Sequence, residues 1–426
     1  RYYRSNKGGV SVMADEEKKA PELRFKGFLD DWEQRKFEEM LDKNDGVRRG
    51  PFGSALKKEI FVKNSDYVVY EQQNAIYDNY KTRYNITKEK FDELHKFSLK
   101  ENDFIMSGAG TIGRISRVPK GIKKGVFNQA LIRFRINNEL TNPEYFLQFV
   151  RAENMQRKLT GANPGSAISN LVPMSEVKKW EVFVPIKAEQ KKLGSFFEQL
   201  DDTIALHQRK LTLLKCLKQM YLQKLFPQNG ENIPALRFAG FTEIWDQRKL
   251  KDLYERNSEK NNGQFDSENT ISIASMKFKP EGNGAAEESI NSYKVLRMGD
   301  IAFEGHTSKL YSFGRFVLND IGDGIMSPRF TTLRPKKEMY IPFWKQYIIY
   351  EPIMKHLLVK ATKLGTMMNE LVLEDFFNQF LLVPSDNEQQ KIGSFFKQLD
   401  DIIDLHQCKL EILTELKQVL LAKMIV

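Results

Sequence analysis

The chain lacks much of what enzymes, secreted proteins and membrane proteins rely on. It has two cysteines, Cys216 and Cys408, and they show neither metal-type spacing nor equivalent positions in the chain's long internal repeat. No disulfide or zinc framework is expected, and a reducing cytoplasm fits. No run approaches the roughly 18 apolar residues of a membrane span. The first residues, RYYRSNKGGVSVMADEEKK, carry no apolar leader stretch. Residues 1–20 read as an extraneous or flexible start, with residues 1–12 unlike the rest of the chain and Met13 a candidate natural beginning. The 15 prolines include no Pro-Pro dipeptide, as an amino-methyltransferase would need, and no Pro-Asp pair, which argues against a nuclease. The five histidines suggest no Ser-His-Asp or Cys-His arrangement. The expectation is a chain without catalytic residues, bound metal or cofactor.

What is present is present twice. QKKLGSFFEQLDDTIALHQRKL from Gln190 and QQKIGSFFKQLDDIIDLHQCKL from Gln389 match at 16 of 22 positions, with an offset of 199 residues. LRFKGFLDDWEQRK from Leu23 is echoed by LRFAGFTEIWDQRK from Leu236. Solenoid periods run roughly 20–50 residues, so this is a duplicated domain plus helix, with a pseudo-twofold relation expected. Between the echoes the halves hardly match. A constant scaffold carrying two different inserts suggests two readings made in one way.

The repeated segments read as long helices, Glu189 to Phe226 and Glu388 to Ile425. Leu193, Phe197, Leu200, Ile204, His207, Leu211 and Leu214 step by four and three, as do Ile392, Phe396, Leu399, Ile403, His406, Leu410 and Leu413. That is the spacing of a coiled-coil seam. Each helix would be roughly 55 Å long, and antiparallel pairing would bury both stripes. The recurrence of His207 with His406, and of Asp201-Asp202 with Asp400-Asp401, admits metal ligands across the helices. Polar seam residues that set register are the favoured reading. The inserts look mixed and strand-rich. Tyr67–Tyr70, Phe104–Met106, Ala130–Ile136 and Val182–Val184 read as strands, Glu144–Leu159 and Phe343–Leu358 as helices, and 163–165 as a turn. The fold class is α+β: two globular mixed α/β domains separated by two long antiparallel coiled-coil helices.

The net charge of +10 favours a polyanionic partner. Residues 37–184 hold 24 Lys/Arg against 18 Asp/Glu, whereas 250–383 hold 17 of each. From Phe104 to Asn138 there are seven cations and no acid, which suits phosphate contact. Gly108-Ala109-Gly110-Thr111-Ile112-Gly113 matches the dinucleotide fingerprint, but RISRVP follows where a helix is required, so a nucleotide site is rejected. The turn is instead either a phosphate or base contact through Thr111 and Arg114, or plain structure. Two clusters mix cations, amides and aromatics. The first holds Arg48, Arg49, Ser54, Lys57 and Lys58, followed by Tyr70, Gln72, Gln73 and Asn74. The second holds Lys277 and Lys279, followed by His306, Thr307, Ser308, Lys309 and Tyr311, with Arg329 as a further basic candidate. Asn and Gln pair with adenine edges, and Arg and Lys with guanine.

Together these segments resemble the specificity (S) subunits of type I restriction-modification systems. The likeness rests on Val184-Pro185 with Glu189-Gln190, on Gly194, Phe196-Phe197 and Leu200-Asp201, and on their copies from Val383. Trp32-Glu33-Gln34-Arg35-Lys36 and Trp245-Asp246-Gln247-Arg248-Lys249, RGPFGSALKK, Gly110 to Arg114, and closing stretches at 165–171 and 365–371 add to it. It covers the chain from about Pro21 onward. The second insert departs from the first, with Gly305 to Lys309 in place of the glycine turn and 14 fewer residues. The resemblance implies target-recognition domains at 21–184 and 228–383 and conserved helices at 185–227 and 384–426. It implies a non-catalytic reader of double-stranded DNA, each domain taking half of a bipartite target. The helices would set the spacer and dock two methyltransferase (modification) subunits. Those partners would hold S-adenosylmethionine, and two restriction subunits would add ATP- and Mg2+-dependent translocation and cleavage. The competing readings are a two-domain scaffold that does not read DNA and a self-sufficient DNA methyltransferase.

Overall fold

The computed structural model describes residues 20–161, 172–228, 230–281, 284 and 287–425. The sequence-predicted start at 1–19, the turn at 163–165 and the closing stretch 165–171 lie outside the described residues. Two compact units result: Arg1–Leu206 with Lys409–Val426, and His207–Cys408. They do not follow the chain segments, because the division falls within each long helix.

Both long helices form, as Lys187–Leu225 and Asp386–Met424. Each unit contains the first half of one and the second half of the other. In the first unit Leu193 and Phe197 share a core with Leu421, Met424 and Ile425. In the second, Ile392 and Phe396 share a core with Leu222, Leu225 and Phe226. These are equivalent sets at the repeat offset, and within each unit the helix segments run antiparallel. The seam positions are all buried or half-buried. Its polar members pair with protein groups: His207 Nδ1 lies 2.8 Å from His406 Nδ1, so one imidazole donates and the other accepts. Asp201 accepts from Lys417 Nζ at 2.6 Å and Gln148 Nε2 at 2.9 Å. Asp400 likewise meets Lys218 Nζ at 2.7 Å and Gln346 Nε2 at 2.8 Å. These contacts fit the register reading of the polar seam.

The first unit is built on a four-stranded antiparallel sheet, ordered Val47–Arg49, Leu131–Phe134, Phe104–Ser107, Ile115–Arg117. Side chains alternate across a strand. Phe104, Met106, Ile132 and Phe134 accordingly pack toward the helices, and Ile105 and Leu131 enter a second core with Val68, Tyr70, Ala75 and Phe127. That second core is backed by the strands Tyr84–Ile86, Tyr67–Tyr70 and Lys124–Phe127. The second unit repeats the four-stranded sheet with Tyr254–Arg256, Thr331–Pro335, Ile301–Glu304 and Arg315–Leu318.

Each single helix expected beside the sheet is two. Pro143–Arg151 and Glu153–Thr160 are separated by an extended Ala152. Gln156 Nε2 donates to the Val150 carbonyl at 2.6 Å, satisfying an acceptor the break leaves open. In the second unit Ile341–Tyr347 stops and Glu351–Ala361 restarts with Pro352 in its first turn. A proline has no N–H to continue the preceding helix and is tolerated only at a helix start.

The echoed residues turn out to be one joint made twice. Glu33–Lys36 pairs antiparallel with Glu181–Val184, and Asp246–Lys249 with Phe380–Val383, so the strand leading into each domain closes on the strand leaving it. Arg24 grips Glu189 through Nε–Oε1 at 2.9 Å and Nη2–Oε2 at 2.7 Å. Arg237 grips Glu388 at 2.8 and 2.6 Å. Leu23 N donates to Lys423 O at 2.9 Å, and Leu236 N to Lys224 O at 2.8 Å. Gly194 and Gly393 are required by close approach: an added Cβ would stand 2.8 Å from Tyr145 N and 2.6 Å from Phe343 N. Both glutamate side chains are 2% exposed. Removing the arginine would leave a buried, unpaired carboxylate, a loss of about 3–5 kcal/mol. Arg24→Ala is therefore expected to lower the urea midpoint of the first unit's transition, with Arg237→Ala doing the same for the second, measured by chemical denaturation.

Candidate nucleic-acid interface

In the first unit the residues 128–130 form a hub for two loops. Gly50 N donates to Leu131 O at 3.0 Å, and a Cβ at Gly50 would sit 1.9 Å from the Asn128 carbonyl. Gly53 lies against Gln129, whose Oε1 would be 2.4 Å from an added Cβ. From the other side Gly108 N donates to Ala130 O at 2.7 Å. Gln72 reaches the same turn, its amide 3.8 Å from a Cβ built on Gly110. Thus Arg49, Ser54, Lys57, Lys58, Gln72, Thr111 and Arg114 are carried by segments that meet here. Arg49, Ser54, Lys57, Lys58, Thr111 and Arg114 are exposed. None of the four cations among them makes an ion pair with a described residue.

The glycine turn joins two antiparallel strands and no helix follows it, consistent with rejecting a dinucleotide cradle. Gly110 and Gly113 take φ of +64° and +83°, a region that favours glycine. Gly113 N donates to Ser107 O at 2.9 Å and Arg114 N to Ser107 Oγ at 3.0 Å. Those N–H groups are used internally and are not open to a phosphate, whereas the Thr111 and Arg114 side chains are exposed.

Two sequence candidates are corrected. Tyr70 is fully buried, its hydroxyl donates to Lys123 O at 2.7 Å, and burial pushes it up to about 12. Asn74 is also fully buried; its Nδ2 donates to Asn79 O and Lys81 O, and its Oδ1 accepts from Glu71 N at 2.7 Å. Both alternate with or cap elements whose inward side they occupy, so they hold the scaffold and present nothing to a ligand. Gln73 is half-buried against Glu71. Arg48 is half-buried and tied to Asp45 through Nε at 3.1 Å and Nη2 at 2.8 Å.

The seven-cation run is also less available than its composition suggests. Arg133 is fully buried and pairs with Asp45. Arg135 pairs with Asp45 and with the buried Asp103, the latter at 2.7 Å. Burial raises the Asp45 carboxyl, but hydrogen bonds from Arg133 and Arg48 outweigh it and hold it below the usual range. Arg117 meets Glu144, and Lys120 lies 3.7 Å from Glu101. Arg114, Lys123 and Lys124 remain exposed without an ion pair among the described residues.

In the second unit Arg315 unites the two segments that the sequence singled out. Its Nε donates to Glu304 Oε2 at 2.7 Å, its Nη2 to Ala274 O at 3.0 Å, and its guanidinium stacks 5.4 Å from the Tyr311 ring centroid. The 275–279 segment is thereby fixed to the 305–311 loop. Lys277, His306, Thr307 and Lys309 are exposed there, while Lys279 and Tyr311 are half-buried. Ser308 is a turn former, its Oγ accepting from Leu310 N and Tyr311 N. Arg329 is exposed and lies over the Phe330 ring at 4.6 Å. Sequence reasoning missed Arg315. Its one signal is a charge complement, for Arg315 stands directly opposite Glu304 in the strand register.

The chemistry on offer is hydrogen bonding and cation presentation. Among the described residues no group of three or more His, Cys, Asp or Glu is placed to hold a metal ion. No helix among them is long and apolar enough to cross a membrane.

The chain is thus a doubled α+β module with long helices and polar, cation-bearing loops in each unit. The type I restriction modification DNA specificity domain matches residues 30–215 and again 242–416, and the chain belongs to that family. The fold is shared with the S subunit of a type I restriction-modification system from M. genitalium, at TM-score 0.59 and 16% identity over 96% of this chain and 99% of that one. A chain from a structure addressing complex assembly and conformational transition of the type I R-M system aligns at TM-score 0.52 and 15% identity, over 92% and 97%. No curated protein sequence matches.

The corrected set separates two kinds of variant. Lys57→Ala with Arg114→Ala is expected to weaken DNA binding and flatten its salt slope by about one unit per lost phosphate contact. Asn74→Ala is expected to cost about 1–3 kcal/mol of stability, because it strands a backbone N–H and two carbonyls, while leaving the salt slope unchanged. Affinity across a salt series, with thermal unfolding in parallel, checks both.

Proposed function

We propose that the chain is the DNA-reading subunit of a type I restriction-modification assembly, each recognition domain taking one half of a bipartite duplex target. The observation that carries this is the division of labour between the repeats. The joint of Arg24, Glu189, Gly194 and Asp201 recurs as Arg237, Glu388, Gly393 and Asp400, whereas the exposed polar loops differ. A constant joint with two different loop sets fits a reader of two different half-sites. Phosphate contacts would position each domain and base-edge contacts would select sequence. Two modest half-site contacts on one chain act as one strong contact, since the second becomes intramolecular.

On this reading the long helices fix the gap between half-sites and dock two methyltransferase subunits. Leu213 and Met220 on one helix, and Ile412 and Val419 on the other, are exposed apolar residues seven apart at equivalent repeat positions. That spacing suits helix–helix docking. The partners would hold S-adenosylmethionine and methylate adenine at N6 after flipping it; two restriction subunits would add ATP- and Mg2+-dependent cleavage.

Mapping of methylated adenines in cells with and without the chain tests the reading directly. One bipartite motif should appear only when the chain is present. Exchange of residues 37–184 for another such domain is expected to alter one half of that motif; a change in both halves would refute modular reading. Insertion of one helical turn at matching places in both helices should alter the gap alone.

A further inference from the structure

We propose that Phe52 is a base-contacting residue of the first half-site, inserting its ring among base edges while neighbouring cations engage the flanking phosphates. The inference rests on the DNA-reading function above. Phe52 is 90% exposed, although the surrounding loop is fixed on both sides. Before it, Pro51 is buried and Gly50 is clasped against the Asn128 carbonyl. After it, the Phe52 carbonyl accepts from Ala55 N at 2.9 Å in a tight turn, and Gly53 abuts Gln129. The ring is therefore held out in water by an ordered backbone.

Its surroundings decide what covers it. Arg49, Lys57 and Lys58 are exposed without ion pairs among the described residues, against the single acid Glu59 in this stretch. An apolar protein surface closing over the ring would desolvate those cations without partners, which is costly. Duplex DNA meets both demands, with phosphates for the cations and flat base surfaces or thymine methyl groups for the ring. The 128–130 hub joins the Phe52 loop to the segment that leads into the turn carrying Thr111 and Arg114, so the ring is presented from the same hub as those groups.

An aromatic contact and a cationic contact differ in salt dependence, because a ring releases no counterions. The test uses the full chain assembled with its methyltransferase partners and a duplex carrying the mapped motif. Phe52→Ala is expected to lose about tenfold or more in affinity with the salt slope unchanged and thermal unfolding unaltered. Phe52→Trp should retain binding. Wild-type affinity in Phe52→Ala, or a loss accompanied by a flatter slope, would overturn the proposal. So would retained DNA affinity with loss of the methyltransferase subunits, which would place protein over the ring. A wild-type assembly showing no preference for the motif would instead overturn the DNA-reading function itself, and this inference with it.

Discussion

Neither globular core is complete without helix ends contributed by both repeats, and most other features depend on that constraint. A helix half bearing Leu193 and Phe197, or Leu421, Met424 and Ile425, exposes too much apolar surface to stand in water. Burying such side chains is worth about 1.5–3 kcal/mol each, so the cores hold both helices firmly. Fixing the angle of the join falls to directional groups. The bidentate Arg24–Glu189 and Arg237–Glu388 pairs set geometry as well as energy. The Lys417–Asp201–Gln148 and Lys218–Asp400–Gln346 contacts tie a domain side chain, its own helix and the other repeat's helix at one carboxylate. Substitution at these points alters the attachment of a domain, whereas substitution in the loops leaves the attachment intact.

Charge is used differently inside and outside. The interior of each sheet holds an Arg–Asp pair at comparable places, Arg135 with Asp103 and Arg334 with Asp300. Arg334 sits high above its ordinary range because Asp300 accepts its hydrogen bond; Asp300 itself is pushed up by burial, against that same bond. The bond favours both charged forms, and burial outweighs it only at Asp300, whose side chain is 1% exposed against 29% for Arg334. The first unit adds Arg133 to the interior, and the second has Thr332 at the equivalent position. Arg48, Arg133 and Arg135 are thus structural, but they stand against Asp45 and Asp103, so these pairs account for little of the first domain's excess of positive charge. What remains for a ligand is a short set of exposed cations on loops whose backbone is pinned by glycine contacts.

The scaffold was legible in the sequence because its grammar is local and repeated. The four-three steps from Leu193 and Ile392 gave helices that begin two residues earlier than read, and the strand runs fell within a residue or two of their places. The helix breaks were less legible. Pro352 marked one and no breaker residue marks that at Ala152, where the side chain of Gln156 stabilises the break from four residues away. The binding residues were least legible, since polarity alone cannot separate a presented amide from a buried one. Asn74 and Gln72 stand two apart, and one is sealed inside while the other borders the glycine turn. Phe52 is the converse case: its type alone does not say whether the ring packs inside or is presented, and its exposure on a loop clasped at Gly50 shows that it points outward.

The two inserts reach similar ends through unlike loops. In the first unit a glycine turn and a proline-glycine loop converge on residues 128–130, and positive φ at Gly110 and Gly113 shapes the surface. In the second, Gly305 is clasped by Asn369, where an added Cβ would stand 1.9 Å from the carbonyl, and Arg315 locks the adjoining loop to the 275–279 segment. One surface is shaped by backbone freedom and the other by an ion pair with a stacked ring. A loop fixed by its own local contacts can be exchanged without disturbing the joint beneath it. The loops can therefore differ between the halves while the joint of Arg24 with Glu189 and of Arg237 with Glu388 stays the same.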